Sequence, residues 1–307
     1  MQNLQLGWQP AAALSAGLLA GAAGVRLPSR ASRFRLPERA VPYLREAGLV
    51  AALYALWQLA CSVSVLGSAG AFSRARWILR LERAGRLPSE HGTQRLITGH
   101  PVLTQSANWY YAAMHFTALG ALLLWLFARH RARYPEVRNV LVLLTASSLL
   151  IQLLPVAPPR LLPELGYVDT AARYGQSVYD LSGISLDQLA AMPSVHVGWS
   201  LLVAWAVLRV SASRFRWWVL AHPVLTVFVV VVTANHFWLD GIVAAALLAL
   251  SIALLRLAGR LARVTGGMDD GDARRSPAGH GRQRRTDLVQ ADRGGDQLVG
   301  THGTGAD

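Results

Sequence analysis

Thr233-Ala234-Asn235-His236-Phe237-Trp238-Leu239-Asp240-Gly241 is a short polar interruption between two strongly apolar runs, Trp217 to Val232 and Ile242 to Leu255, neither of which holds an Asp, Glu, Lys or Arg. A helix needs about 20 apolar residues to cross a bilayer, so the two runs read as consecutive spans joined by almost no loop. The polar residues between them then lie at a membrane boundary. His236 and Asp240 are four apart, which on a helix places them one above the other, within reach of a hydrogen bond. A carboxylate that accepts from one ring nitrogen fixes the tautomer and leaves the other nitrogen free to attack, protonate or bind metal. Ionisable groups at membrane depth are costly to keep, which makes a functional role the default reading. The plain alternative is a His that closes one helix and an Asp at the N-terminus of the next.

The rest of the chain agrees with a membrane setting. Of its 307 residues, 53% are hydrophobic and 15% charged, a balance that argues for a polytopic membrane protein rather than a soluble globule. All 30 basic residues are Arg, and the formal charge is +13. These Arg residues cluster between apolar runs and build no aromatic-studded basic face, so the charge is read as membrane topology and nucleic acid is excluded as a partner. The single cysteine, Cys61, falls inside an expected span, which excludes a disulfide framework and a thiolate metal site.

Taken in order, Ala11 to Val25 is a first apolar run, read as an uncleaved span because no basic segment precedes it. Arg26 to Arg45 carries six Arg and marks a cytoplasmic loop; Leu49 to Phe72 is the second span. Arg74 to Pro88 places Trp77, Ile78, Leu81 and Leu87 partly at helical spacing among five Arg, the pattern of a basic amphipathic helix lying in the interface. Further spans are Asn108 to Phe127, Val140 to Val156 and Ser194 to Leu208, followed by the two runs around the central stretch. Basic loops at Arg129–Arg138 and Arg209–Arg216 and a basic flank at Arg256, Arg260 and Arg263 give a seven-span topology, N-terminus outside and C-terminus inside. The basic 71–107 segment, placed outside, runs against that rule. Four regions follow: N-terminal spans and basic loop at 1–70, an interfacial amphipathic segment at 71–107, a helical core at 108–258, and a polar tail at 266–307 expected to be disordered. The fold class is all-α, a transmembrane bundle of about six to seven spans.

This topology brings Arg160, Ser194, His196, His236, Asp240, Tyr111 and His115 to the same outer face. An Arg offers a bidentate donor to phosphate oxygens, and two His can serve as nucleophile and acid. Against that, Ser194 is an ordinary helix cap, His115 on an apolar helix is more often a packed core residue, and Arg160 after two prolines could anchor a headgroup region. Asp169, Arg173 and Asp187 read as loop solvation. Two His and a carboxylate would also suit zinc, although no fourth ligand is evident.

Three blocks carry a family resemblance: Pro155-Val156-Ala157-Pro158-Pro159-Arg160, then Ala191-Met192-Pro193-Ser194-Val195-His196-Val197-Gly198-Trp199, then the central stretch. Together they resemble the type 2 phosphatidic acid phosphatase superfamily, and within it the inositolphosphotransferase branch, in a bacterial form. Asn108 to Phe116, with Tyr111 and His115, is similar to that branch as well. The resemblance covers about Arg74 to Leu255. It implies a phosphatase/haloperoxidase-like helical core with a metal-independent site and no cofactor. His236 matches the nucleophile that forms a phosphohistidine, Asp240 the carboxylate that orients it, and His196 the acid for the leaving oxygen. Ser194, Arg160, His115 and Tyr111 are the candidate phosphate-binding residues. The chain departs from the wider pattern at Val230, where an Arg is expected, and at Leu153, where a Lys is expected. The expected partners are a membrane lipid substrate and the bilayer, at the extracytoplasmic face of a bacterial cell membrane, with the oligomeric state open. A proton-relay transporter and a degenerate lipid-phosphate binder are the competing readings; no internal repeat of the transporter kind is visible.

Overall fold

Residues 8–24, 37, 40–62, 69–177 and 186–273 are described by a computed structural model, and no strand occurs among them. The calls on Arg26–Arg35, the Cys61 side chain and the tail beyond residue 273 lie outside the described residues. The helices are α1 (Trp8–Gly24), α2 (Val41–Ser62), α3 (Ala71–Ala84), α4 (Glu90–Thr98), α5 (Pro101–Arg129), α6 (Tyr134–Gln152), α7 (Thr170–Arg173), α8 (Val195–Val210), α9 (Ala221–Val232) and α10 (Trp238–Ala273). Residues Met1–Gly259 form one unit, which carries the whole candidate site; Arg260–Asp307 form a second.

Three helical segments are long and apolar enough to cross a membrane: Pro101–Arg129, Arg214–Val232 and Trp238–Arg263; Val195–Val210 is a shorter apolar helix. The protein is therefore an all-helical integral membrane protein. Their outward faces are apolar, with Trp109, Leu124 and Val224 at 66%, 70% and 70% exposure, a surface that only lipid satisfies. Inward, Leu119, Leu122 and Leu126 of α5 pack with Val137, Val140 and Leu144 of α6, Leu202, Val203 and Ala206 of α8 and Leu248 of α10.

Two expected boundaries move. Leu49–Phe72 is not one span: α2 ends at Ser62, and a turn at Ala69-Gly70 starts α3 at Ala71, with Gly70 at φ +74°, a conformation that costs glycine nothing. The third span begins at Pro101 rather than Asn108, because Pro fits the first helical position and the Thr104 hydroxyl donates back to the Ile97 and His100 carbonyls. The residues from Pro101 to Ala107 thus belong to α5. At the other end, α10 continues through the start of the polar tail to Ala273.

The 74–88 segment is helical to Ala84, and the buried face of α3 is Ala71, Ala75, Ile78, Leu79 and Glu82, with Trp77 and Leu81 turned outward. Ile78 and Leu79 belong to a second core with Val156, Ala157, Leu162, Tyr167, Leu189, Ala191, Ala234 and Phe237. That core holds residues of all three family-resembling blocks.

Candidate active site

The central stretch folds as a helix end, a sharp turn and a helix start. α9 closes with the Ala234 N–H donating to the Val231 carbonyl (2.9 Å) and the Asn235 N–H to the Val230 carbonyl (3.0 Å), the paired pattern that terminates a helix around a left-handed residue. That residue is Ala234 at φ +54°, a position glycine usually fills. Six residues on, Asp240 in the first turn of α10 reaches back and accepts the Phe237 N–H at 2.9 Å, half of a capping box. The two caps leave His236 between them, 4% exposed, with Asp240 fully buried beneath it.

The other two blocks are tied to this turn mainly by backbone. The Arg160 N–H donates to the Ala234 carbonyl (2.8 Å) and the Ser194 N–H to the Asp240 carbonyl (3.2 Å). Val156 and Ala190 form an isolated parallel bridge, the Val156 N–H donating to the Leu189 carbonyl (2.7 Å) and the Ala191 N–H to the Val156 carbonyl.

His236 Nδ1 lies 2.7 Å from the Ala191 carbonyl oxygen and 3.3 Å from Asp240 Oδ2. A carbonyl can only accept, so Nδ1 carries the proton and Nε2 keeps its lone pair. Nε2 is buried and has no hydrogen-bond partner among the described residues. Buried polar atoms are nearly always satisfied, so this one is poised for a reacting group. The His196 ring centroid is 5.6 Å from that of His236; Tyr111 stacks on His196 at 4.2 Å, and His115 lies 4.1 Å from His196 on its own helix α5. His236, Asp240, His196, Tyr111 and His115 thus lie together.

Arg160 is buried, donating from Nε to Asn235 Oδ1 (3.0 Å) and pairing through a terminal nitrogen with Asp169 (2.7 Å). It lines a narrow cleft with Asn108, Tyr111, Gln176, Ser177 and Asn235. Ser194 is the cap of α8: its Oγ accepts the Val197 N–H at 3.3 Å. Among the described residues no group of three His, Cys, Asp or Glu is gathered to hold a metal ion.

A family model described as the PAP2 superfamily matches residues 76–254, more than half of the chain. The chain belongs to the PAP2 superfamily. No curated protein and no solved structure gives a significant match. Membership in the PAP2 superfamily brings phosphatase-type activity on a membrane lipid as the coarse functional class. The match begins two residues after the start of the resemblance read from the sequence and ends one residue before its end. Within this PAP2 chain, Val230 occupies the place of an expected cation; it is buried at 2%, packed with Val197, Val231 and Ala244, and its carbonyl accepts the Asn235 and His236 N–H groups.

Two partners escaped the sequence reading. Asp169 is more than loop solvation: it caps α7 by accepting the Ala172 N–H (2.9 Å) and neutralises Arg160. Asn235 orients Arg160 from the opposite side. Asn235 stands beside His236 in the central block and was readable as a neighbour, whereas Asp169 reaches Arg160 only through the fold of the 159–170 segment.

Proposed function

We propose that this protein is a membrane lipid phosphatase or phosphotransferase that acts on a lipid-linked phosphodiester, phosphomonoester or diphosphate through a phosphohistidine at His236. The observation that carries the reading is the buried, unpartnered Nε2 of a ring whose Nδ1 is committed to the Ala191 carbonyl and Asp240. In the first step the Nε2 lone pair attacks phosphorus in line, the bond to the leaving oxygen breaks, and His196 gives that oxygen a proton. In the second, His196 takes a proton from water or an alcohol, whose oxygen attacks phosphorus and releases His236. Asp240 and the Ala191 carbonyl stabilise the imidazolium-like ring between the steps. Positioning and charge stabilisation are most of what phosphoryl transfer asks of a protein.

Substrate charge follows from the cations. Among the described residues that line the cleft Arg160 alone is charged, and Asp169 already offsets part of its charge. A phosphodiester carries one negative charge, whereas a phosphomonoester carries up to two and a diphosphate at least two, so the cleft suits a diester better, inositol-phosphate transfer included. We also read α1, α2, α6 and α8 as spans beside the three longer segments, with the site at the extracytoplasmic face of a bacterial membrane.

The test is purified protein in lipid, given a panel of phosphodiester, phosphomonoester and diphosphate lipids with and without inositol. Wild type should release product and accumulate acid-labile phosphoprotein, and His236→Ala should do neither. Lipid phosphate binding with no turnover by wild type on any substrate would favour a degenerate binder, a reading that Val230 and Leu153, standing where cations are expected, make specific.

A further inference from the structure

Behind Asp240, outside the cleft, two more carboxyl groups are buried. Glu82 on the inner face of α3 and Glu90 at the start of α4 are each 3% exposed. Glu82 Oε1 accepts the N–H of Leu239 at 2.7 Å, one of the donors that the first turn of α10 cannot satisfy within the helix. Glu90 Oε2 accepts from the Tyr167 hydroxyl at 3.3 Å. The remaining oxygens, Glu82 Oε2 and Glu90 Oε1, are both buried with no partner among the described residues, and the two carboxyls lie within hydrogen-bonding reach of each other. Two adjacent buried carboxylates cannot both ionise at modest cost. One proton between them satisfies both orphan oxygens at once, and the single remaining negative charge sits by a helix N-terminus, where it is favoured.

We propose that Glu82 and Glu90 share one proton and that this protonated pair is a positioning device for the active site, holding the first turn of α10 so that Asp240 meets His236. Glu82 is bonded to Leu239, the residue before Asp240, and Trp238 Nε1 donates to the Pro88 carbonyl (2.8 Å) in the α3–α4 connection. The start of α10 is thus fastened to the α3–α4 hairpin on both sides of the same turn. Burial, then Glu90, pushes the Glu82 carboxyl up to about 9, so the proton stays through neutral pH. The groups facing the pair are Tyr167 from the 159–170 segment, Asp240 and through it His236 from α10, His91 from α4, whose ring meets Tyr167 at 5.9 Å, and Arg83 from α3. When the proton leaves, Glu82 and Glu90 repel each other and Asp240, and the turn loosens. A bridging metal ion would be the other way to satisfy the orphan oxygens, but among the described residues no third acidic or imidazole ligand is gathered there.

The positioning role rests on the proposed chemistry of His236, while the shared proton can be read without it. The experiment is infrared spectroscopy of the carboxylic-acid C=O band together with nitrogen NMR of the His236 ring, on full-length protein in lipid, for wild type, Glu82→Gln and Glu82→Ala. Glu82→Gln keeps an oxygen for Leu239 and offers Glu90 a permanent N–H, imitating the protonated state. Wild type should show an acid band that fades as pH rises through about 9, with the His236 ring signals moving alongside. Glu82→Gln should lack the band and hold those ring signals constant, while Glu82→Ala should show the displaced signals already at about pH 7. Where a lipid substrate is turned over, kcat should fall about 10²-fold in Glu82→Ala with little change in KM, as for a displaced catalytic group, and Glu82→Gln should restore it and abolish the alkaline loss. No acid band in wild type, a band that survives in Glu82→Gln, or stabilisation of wild type by Mg²⁺ or Ca²⁺ that vanishes in Glu82→Gln overturns the shared proton. Ring signals indifferent to pH through that range overturn the positioning role even if Glu82→Ala fails to fold. Absence of turnover on every lipid, with the spectra as expected, counts against the proposed reaction and leaves the pair standing.

Discussion

At His236 the tautomer is fixed by a main-chain carbonyl as well as by Asp240, so the two partners are not equivalent. Asp240→Asn keeps a group of the same size but removes the negative charge that stabilises a positively charged ring in the transition state. We expect activity to drop about 10²–10⁴-fold, the range for a lost acid–base contribution, while protein yield and melting change little. Asp169→Asn tests the charge argument in the cleft. Asn still caps a helix, so α7 survives, and Arg160 loses the ion pair with Asp169. The ratio of kcat/KM for phosphomonoester over phosphodiester lipids should rise. Ala234 offers a stability test: a left-handed alanine costs about 1–2 kcal/mol against glycine, partly offset by the greater freedom of an unfolded glycine, so Ala234→Gly should raise the thermal midpoint slightly. The sequence made His236, Asp240 and His196 legible because their spacing and order are local properties. It was silent on the Ala191 carbonyl, since a backbone acceptor leaves no trace in residue type.

Among the elements, the α3–α4 hairpin gains a meaning that its composition hid. Five Arg in a short amphipathic stretch read as a lipid-facing helix, and Trp77 with 54% exposure keeps that role open. Yet Glu82 falls three and four residues after Leu79 and Ile78, on the apolar stripe. A carboxyl in that register was the available signal, passed over because the Arg residues dominated. Its pH consequence has a definite sign. The Glu82 carboxyl is raised from 4.5 to about 9, so the folded protein holds a proton that the unfolded chain has released. The stability from this group is whole below about 4.5 and declines as pH rises to about 9. Thermal midpoints across that window should fall more steeply in wild type than in Glu82→Gln. Trp238→Phe removes the bond to the Pro88 carbonyl and should cost about 0.5–1.5 kcal/mol, the net worth of one hydrogen bond.

For the molecule as a whole, Arg distribution predicts an outward site, and the check is accessibility. Arg173 is exposed beside the cleft, so Arg173→Cys, made with Cys61→Ser, should react with a membrane-impermeant thiol reagent added to intact cells. Protection until the cells are opened would invert the topology. The helical class and the membrane setting were legible from hydropathy, which needs only length and composition. The starts of α3 and α5 were not, because a glycine turn and a hydroxyl bonding back to the preceding turn settle them, and neither shifts a hydropathy average. One feature of the assembly reaches further than geometry. The three blocks are joined through main-chain bonds at Arg160 to Ala234, Ser194 to Asp240 and Ala191 to Val156, and such bonds are blind to the side chains that happen to hang from them. The framework can therefore inherit substitutions such as Val230 without coming apart, and substrate preference is free to drift over generations while the nucleophile stays where it was.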